Sequence, residues 1–526
     1  MTGASSPSMP TALSSRRLGT PPSWSITAVL AGLWLVAGPT TPDLAAQLHR
    51  VGMFAADGFT IWDNRWYGGH HVPGYSLVFP VVGAAIGARV AGALAAVLSA
   101  ALFEALLGPG RRYAASRWFA VGCSADLLIG RLTYALGVTI GLAAVTALLR
   151  ARPRLAAGLA VLCAATSPVA GLFLALAGVG IAATGRRRDG LAMGAAALAV
   201  VLLLSTAFPE GGSQPFSSTS FAVTASISLA AALAVGPVRR LRVPLLLYAG
   251  TAILCFAIPS PMGGNVTRLG TAFVAPALLV AAAGAPRARR IALTVVLCAA
   301  AAWQWVDPFT QAAHGWHDPS SVRSYYQPLI AQLRLDGAQT ARVEVPFTRG
   351  HWETAYLASE FTLARGWERQ LDRRLNPLFY EPRLDPAAYH RWLRANAVEF
   401  VALPDTPMDD AGRQEARLVG RSPSFLQPVW TGRHWRLFRV RDTLPLASPR
   451  ARDVQVSDGK VRLVVRRPGP VLVRVHWTPY WRLLTGTGCV SQQGGWTLLE
   501  AHRPGVFVLE TRFSVSGFLD RLPACR

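Results

Sequence analysis

Between an apolar run at 25–39 and the next at 75–107 lies a segment, residues 40–74, with the densest supply of reactive side chains in the chain. It reads TTPDLAAQLHRVGMFAADGFTIWDNRWYGGHHVPG and carries Asp43, Asp57, Asp63, His49, His70 and His71, with Gln47, Trp66 and Tyr67 among them and Tyr75 just beyond. A connection that only joined two helices would not need three acids and three histidines. Carboxylates and imidazoles move protons, and imidazoles also ligate metals.

Asp43 follows Pro42 and precedes Leu44-Ala45-Ala46, which predicts that it opens a short helix at the membrane boundary. Two readings are open for it: a helix cap, worth about 1 kcal/mol, or a general base or cation ligand at the membrane surface. His49, His70 and His71 could hold a divalent cation together with Asp43, Asp57 or Asp63. His70 and His71 would not share one ion, because neighbours in an extended segment point to opposite sides. Two further candidates are Arg131 in IGRLTYALG and Arg268 in GGNVTRLG, at the expected outer ends of helices. A guanidinium there either pairs with phosphate oxygens or snorkels to lipid headgroups. The Gly263-Gly264-Asn265 turn beside Arg268 could add backbone N–H groups near an anion.

The elements that must position these residues are membrane helices. The chain has 526 residues, of which 52% are hydrophobic and only 15% charged, with a mean hydropathy of +0.32. A soluble domain carries about 25% charged residues. The net charge of +24 is almost all arginine, with Lys460 the one lysine, and many arginines sit in clusters between apolar runs. That pattern orients helices and argues against nucleic-acid binding.

After a tail at 1–24 containing Arg16 and Arg17, the run from Ser25 is either a signal peptide or, as preferred here, an uncleaved first helix. Apolar blocks follow at 75–107, 117–130, 132–150, 154–167, 169–184, 190–207, 219–236, 243–258, 268–284 and 290–306, which predict about eleven spans within 25–306. Arginine clusters at 111–117, 150–154, 186–188, 239–242 and 287–290 occupy alternate connections. The positive-inside rule then places these loops and the N-terminus in the cytoplasm, and segment 40–74 and everything after residue 306 outside, for a multi-pass protein of the plasma membrane.

From Asp307 the composition becomes that of a soluble domain. Strands at 341–346 and 398–403 and a helix at 386–397 predict an α/β subdomain over 307–449. Alternating segments from 450 to 526 predict an antiparallel β-sandwich. Cys123, Cys163, Cys255 and Cys298 lie in apolar stretches, whereas Cys489 and Cys525 form an even pair in an oxidising compartment and are expected to be a disulfide.

The succession of a first helix, an external acid followed by His, Trp66-Tyr67-Gly68-Gly69 and a Pro73-Gly74-Tyr75-Ser76 entry to the next helix resembles GT-C-type glycosyltransferases, including YfhO-like and actinobacterial-type envelope membrane proteins. The HWTPYWRL stretch from His476 is similar to their external β-domain. The resemblance implies a GT-C-like fold and a polyprenyl-phosphate sugar donor. It also implies an extracytoplasmic glycan, lipid or protein acceptor, and a catalytic acid in the first external loop, a role that falls on Asp43. Related loops carry a His four residues after the acid; here Gln47 takes that place and His49 follows. Substrate binding is then expected of His49, His70, His71, Arg131 and Arg268, with a divalent cation as a further expectation. Two other classes remain: a transporter or flippase, for which the spans hold few acids beyond Glu104 and Asp126, and a non-catalytic glycan-binding scaffold. In the soluble domain, Trp352, Glu353, Trp367, Glu368 and Arg369 read either as a carbohydrate surface or as ordinary core.

Overall fold

The computed structural model describes residues 21–108, 113–520 and 525. Arg16, Arg17, Arg111 and Arg112 lie outside the described residues.

Helix α1 (Trp24–Ala37) ends at Gly38, whose φ of 58° suits a residue without a side chain. The chain then bends by 79° into α2 (Pro42–Asp57), so the first part of the segment read as a loop is a helix of 16 residues. Its turns bring Asp43, Gln47 and Arg50 onto one face, at spacings of four and then three. After it, β1 (Trp62–Asp63) pairs antiparallel with β2 (His70–His71), placing Trp62 opposite His71 and Asp63 opposite His70.

The apolar blocks fold as α3 (Phe79–Ile86), α4 (Ala88–Leu107), α5 (Tyr113–Ile129), α6 (Leu132–Leu149), α7 (Pro153–Thr166), α8 (Pro168–Ala183), α9 (Arg187–Ala207), α10 (Ser218–Ala234), α11 (Arg239–Ala257), α12 (Thr267–Ala282) and α13 (Arg287–Trp316). Among the described residues, length and composition qualify six as spans: α4, α6, α9, α11, α13 and α12 with the turn before it. The bent α1–α2 pair adds a seventh if it is one span. Helices α7, α8 and α10 are apolar as well, with 14, 16 and 17 residues. Leu94 and Leu98 on α4, Leu202 and Leu203 on α9, and Ile291 and Val295 on α13 are exposed, a surface suited to lipid rather than water. Between helices the contacts are small: a side chain at Gly178 of α8 would stand 2.6 Å from the Gly190 carbonyl of α9.

The connections segregate to two ends. At one, Arg186 donates to the Leu148 carbonyl at 2.7 Å and Arg239 to that of Ala183 at 3.2 Å, so arginine-rich turns cap one another. At the other, the Leu77 amide bonds Ala165, the Gln214 amide bonds Ser260 and the Tyr480 hydroxyl bonds Ala207. The C-terminal region sits on this second end.

Helix α13 runs through position 307 to Trp316 and leads into that region. Strands β3 (Arg342–Glu344), β4 (Thr362–Leu363), β5 (Val398–Pro404), β6 (Leu426–Thr431) and β7 (Trp435–Val440) form a mixed sheet in the order β4-β3-β5-β7-β6, parallel where β3 meets its neighbours. It carries α14 (Arg323–Leu335), α15 (Glu353–Tyr356), α16 (Arg369–Leu375), α17 (Pro386–Ala395) and α18 (Asp410–Gly420). The last part is a sandwich of two antiparallel sheets. One is β11-β14-β9-β8 and the other β10-β13-β12, built from β8 (Ala451–Ser457), β9 (Lys460–Val465), β10 (Gly469–His476), β11 (Trp481–Thr485), β12 (Gly488–Gln493), β13 (Trp496–Ala501) and β14 (Gly505–Thr511). Val461, Leu463, Val473, Leu499 and Phe507 fill the space between them. The Cys489–Cys525 disulfide ties the chain end to β12.

Arg342 links the two subdomains. It is 1% exposed, and its two terminal nitrogens donate to the carbonyls of Asn396 and, across the junction, Arg474. Gly68 packs on the same guanidinium, 3.0 Å from where a side chain would begin. Arg342→Ala removes both bonds and opens a cavity at the junction. The expected loss is about 2–3 kcal/mol, measured as a lower chemical-denaturation midpoint of the purified protein; an unchanged midpoint would refute the linking role.

Candidate functional site

Asp43 lies in the first turn of α2, but Thr41 is the residue at the cap position and no side chain caps the helix. The carboxylate turns instead to two arginines. Its Oδ2 is 3.3 Å from Arg131 Nε and 4.0 Å from Arg268 Nη2, and Arg131 also reaches Asp307 Oδ2 at 3.5 Å. Residues 43, 131, 268 and 307 thus meet, from α2, the α5–α6 turn, α12 and α13, at the end of the bundle that bears the C-terminal region. Side-chain exposure is 28% for Asp43, 19% for Arg131 and 20% for Arg268, so both arginines face into the protein, not toward headgroups.

The turn that presents Arg131 is held by Gln47. Its amide nitrogen donates to the Gly130 carbonyl and, at 3.2 Å, to that of Asp43, while its oxygen accepts from the Thr133 amide at 2.8 Å and hydroxyl at 2.9 Å. Gly130 permits the approach. It has a φ of 85°, and a side chain there would stand 2.8 Å from the Leu44 nitrogen. An amide suits this position because it donates and accepts at once.

Arg268 stacks toward the Tyr134 ring at 5.6 Å, and both its Nε and the Tyr134 hydroxyl are buried without a hydrogen-bond partner. Two turns beyond Asp43 on the same face of α2, Arg50 lies 3.8 Å over the Tyr75 ring and forms an ion pair with Glu368. Three arginines thus line the α2 face, and each has a carboxylate beside it: Asp43 lies between Arg131 and Arg268, Asp307 is also on Arg131, and Glu368 is on Arg50.

The histidines are placed apart from Asp43. His49 bonds Asp63 at 2.8 Å and stacks on Trp66. Burial opposes ionisation of Asp63, yet the His49 charge and hydrogen bond, His70 and the Arg65 amide outweigh it and lower its pKa. His70 lies parallel to the same indole, 3.9 Å from Glu368. His71 contacts Glu210 at 2.9 Å and Thr478 at 3.1 Å, fastening the hairpin to the loop after α9 and to the sandwich. Their surroundings are those of packing and register. Among the described residues no three His, Cys, Asp or Glu side chains converge to hold a metal ion, so the expected cation has no ligand set.

Trp352 and Glu353 are buried at 1% exposure in the α/β subdomain, which places them in its core. Trp367 is partly buried, stacks on His351 and donates to the Pro42 carbonyl at 2.8 Å, joining that core to the start of α2. Arg369 grips Asp409 with both nitrogens. Sequence reading missed Arg50, Tyr134 and Asp307. The signal for Arg50 was its spacing from Asp43 and Gln47, visible once 42–57 is taken as helix.

Burial pushes the Glu353 carboxyl from 4.5 to about 8. The folded state then holds a proton that the unfolded chain releases between those values, so this residue's contribution to stability falls as pH rises through that window. Glu353→Gln removes the dependence. The melting temperature of the variant should exceed that of the parent by more at pH 8 than at pH 5, and a difference independent of pH would contradict the assignment.

No family model matches the chain, and no curated protein matches it. Among solved structures, the single-particle cryo-EM structure of the arabinofuranosyltransferase AftD from Mycobacteria is similar, at 14% identity and a TM-score of 0.44. The match covers 94% of this chain and 57% of that one.

Proposed function

We propose that the chain is a GT-C-type membrane glycosyltransferase that moves a sugar from a polyprenyl-phosphate donor to an extracytoplasmic glycan, lipid or protein of the cell envelope. The observation that carries this reading is the convergence of Arg131 and Arg268 on Asp43 at the domain-bearing end of the helices, with buried Arg268 Nε and Tyr134 hydroxyl beside them unpartnered. These are anion donors around a base.

In this reading the donor phosphate takes the guanidinium groups that Asp43 holds in the free protein, and the carboxylate is released toward the acceptor. The acceptor hydroxyl oxygen bonds to the anomeric carbon, its proton passes to Asp43, and the bond from that carbon to the phosphate oxygen breaks with its electron pair on the phosphate. Arg131 and Arg268 offset the charge that grows there. Gln47 acts as a positioning residue through the Arg131 turn. His49, His70 and His71 act on the substrate indirectly, by holding the hairpin and the outer domain in register. The site faces outside if the arginine-capped end is cytoplasmic.

Two measurements test this. Asp43→Asn should lower transfer from a polyprenyl-phosphate sugar by at least about a hundredfold in purified protein of unchanged melting temperature, while Arg268→Gln should chiefly raise the KM for donor. Transfer that survives Asp43→Asn would overturn the assignment. For orientation, a membrane-impermeant maleimide added to intact cells should label Arg503→Cys and leave Arg188→Cys at the parent level; the opposite pattern would place the site in the cytoplasm.

A further inference from the structure

The β-sandwich has two poles, and one of them is fastened to the rest of the protein. There Asn64 donates to the Ser457 carbonyl at 2.8 Å, the His476 amide to that of Gly68 at 2.7 Å, and the Tyr480 hydroxyl to that of Ala207. Strand β10 runs 8 residues from Gly469 to His476, so the opposite pole lies about 25 Å from these contacts along the strands.

Two turns cross between the sheets at this far pole, and they match in sequence. Arg466-Arg467-Pro468-Gly469 leads from β9 into β10, and His502-Arg503-Pro504-Gly505 leads from β13 into β14. They run side by side, because Val465 pairs with Gly505 in one sheet and Gly469 with Ala501 in the other. Arg450 joins them: its carbonyl accepts from the Arg466 amide at 2.8 Å, and its Nη1 donates to the Pro468 carbonyl at 2.9 Å. Gly469 has a φ of 118°, and a side chain there would collide with the Arg450 guanidinium, so the first turn is shaped to hold that group. The Thr487 carbonyl accepts from the His502 amide at 2.8 Å and brings the β11–β12 loop alongside. Arg450, Arg466, Arg467, His502 and Arg503 are all exposed.

This pole gathers four guanidinium groups without a carboxylate to answer them. The described acids of the sandwich are engaged or placed elsewhere. Asp453 is beside Arg452, Asp458 pairs with Arg65, and Glu510 pairs with Lys460 and Arg512. Glu500 stands on the outer face of its sheet, between the buried Leu499 and Ala501. Like charges on neighbouring strands repel, and Pro-Gly shapes each turn without help from an arginine. Guanidinium groups brought together attract oxyanions, to which each offers paired N–H donors. With every group at the surface, a lone small anion has no enclosing wall, whereas a chain that meets several arginines at once gains from each. Neighbouring strands stand about 4.8 Å apart and packed sheets about 10 Å, a grain comparable to the repeat of a polymer with one charge per sugar ring. The distance from the helix bundle sets this pole away from lipid headgroups.

We infer that the far pole of the sandwich docks a linear acidic glycan, held by Arg450, Arg466, Arg467 and Arg503. The site is apart from Asp43 and goes beyond the transfer reaction; the choice of a glycan rests on the outward orientation taken in that reading.

The test is isothermal titration of the full chain in zwitterionic nanodiscs, at low ionic strength, with octagalacturonate, which carries one carboxylate per ring. The octamer should bind, and maltooctaose, of equal length and without charge, should not. Replacing Arg466, Arg467 and Arg503 together by Gln should weaken octamer binding about tenfold or more. Replacing Arg417, Arg421 and Arg433 by Gln, which removes the same three charges from exposed positions of the α/β subdomain, should leave it near the parent value. Arg503→Gln alone should already weaken it, and serves if the triple variant has a lowered melting temperature. No octamer binding, equal weakening by both triple variants, or equal binding of maltooctaose overturns the proposal. Failure of Arg503→Cys to label from outside the cell would remove a glycan as the partner. Asp43→Asn should bind the octamer as the parent does, so transfer that survives Asp43→Asn would remove the proposed function and leave this site standing.

Discussion

The arrangement depends most on the side-chain amide of Gln47. Helix α2 leaves the membrane half at a steep angle, with a tilt that the 79° bend alone does not define. What fixes it against the α5–α6 turn is one amide that donates to the Gly130 carbonyl and accepts from both polar groups of Thr133. All of these atoms are buried, so each bond lost would leave a desolvated group unpaired. Because Asp43 is one turn before Gln47 and Arg131 directly follows Gly130, the same contact sets the distance between carboxylate and guanidinium.

The C-terminal region completes the site as well as covering it. Trp367 bonds Pro42 at the start of α2, Glu368 pairs with Arg50 two turns further along it, and His71 fastens the hairpin to Glu210 and Thr478. Arg342 joins the two C-terminal subdomains through carbonyls alone. A helix bundle without this region would hold Arg131 and Arg268 but would leave α2 unsupported on one side. This explains why the polar residues of 40–74, dense as they are, mostly serve attachment: Asp63, His49, His70 and His71 are partners of other elements, and few of them remain for a substrate.

Much of the fold was legible from pattern. Arginine clusters at alternate connections foretold two ends of different chemistry, and contacts between Arg186, Arg239 and neighbouring turns show one of them. Alternation after residue 450 foretold the sandwich, and the parity of Cys489 and Cys525 their bond. Arg131 and Arg268 stood out because they lie away from the arginine-rich connections, and Asp43 because it heads the polar segment after the first helix. Two things were hidden. A helix was expected to open at Pro42, but its polar face masked that it runs 16 residues to Asp57. The roles of the histidines depended on partners, Glu210, Glu368 and Thr478, far away in sequence.

The central claim is that the arginines beside Asp43 exist to hold a lipid-linked phosphate. A density map of the full chain in nanodiscs with polyprenyl monophosphate tests it most directly. The phosphate is expected within hydrogen-bonding distance of Arg131 and Arg268, with Asp43 turned away from them. A phosphate bound at the arginine-capped end, or bound elsewhere with the Asp43 ion pairs unchanged, would contradict it.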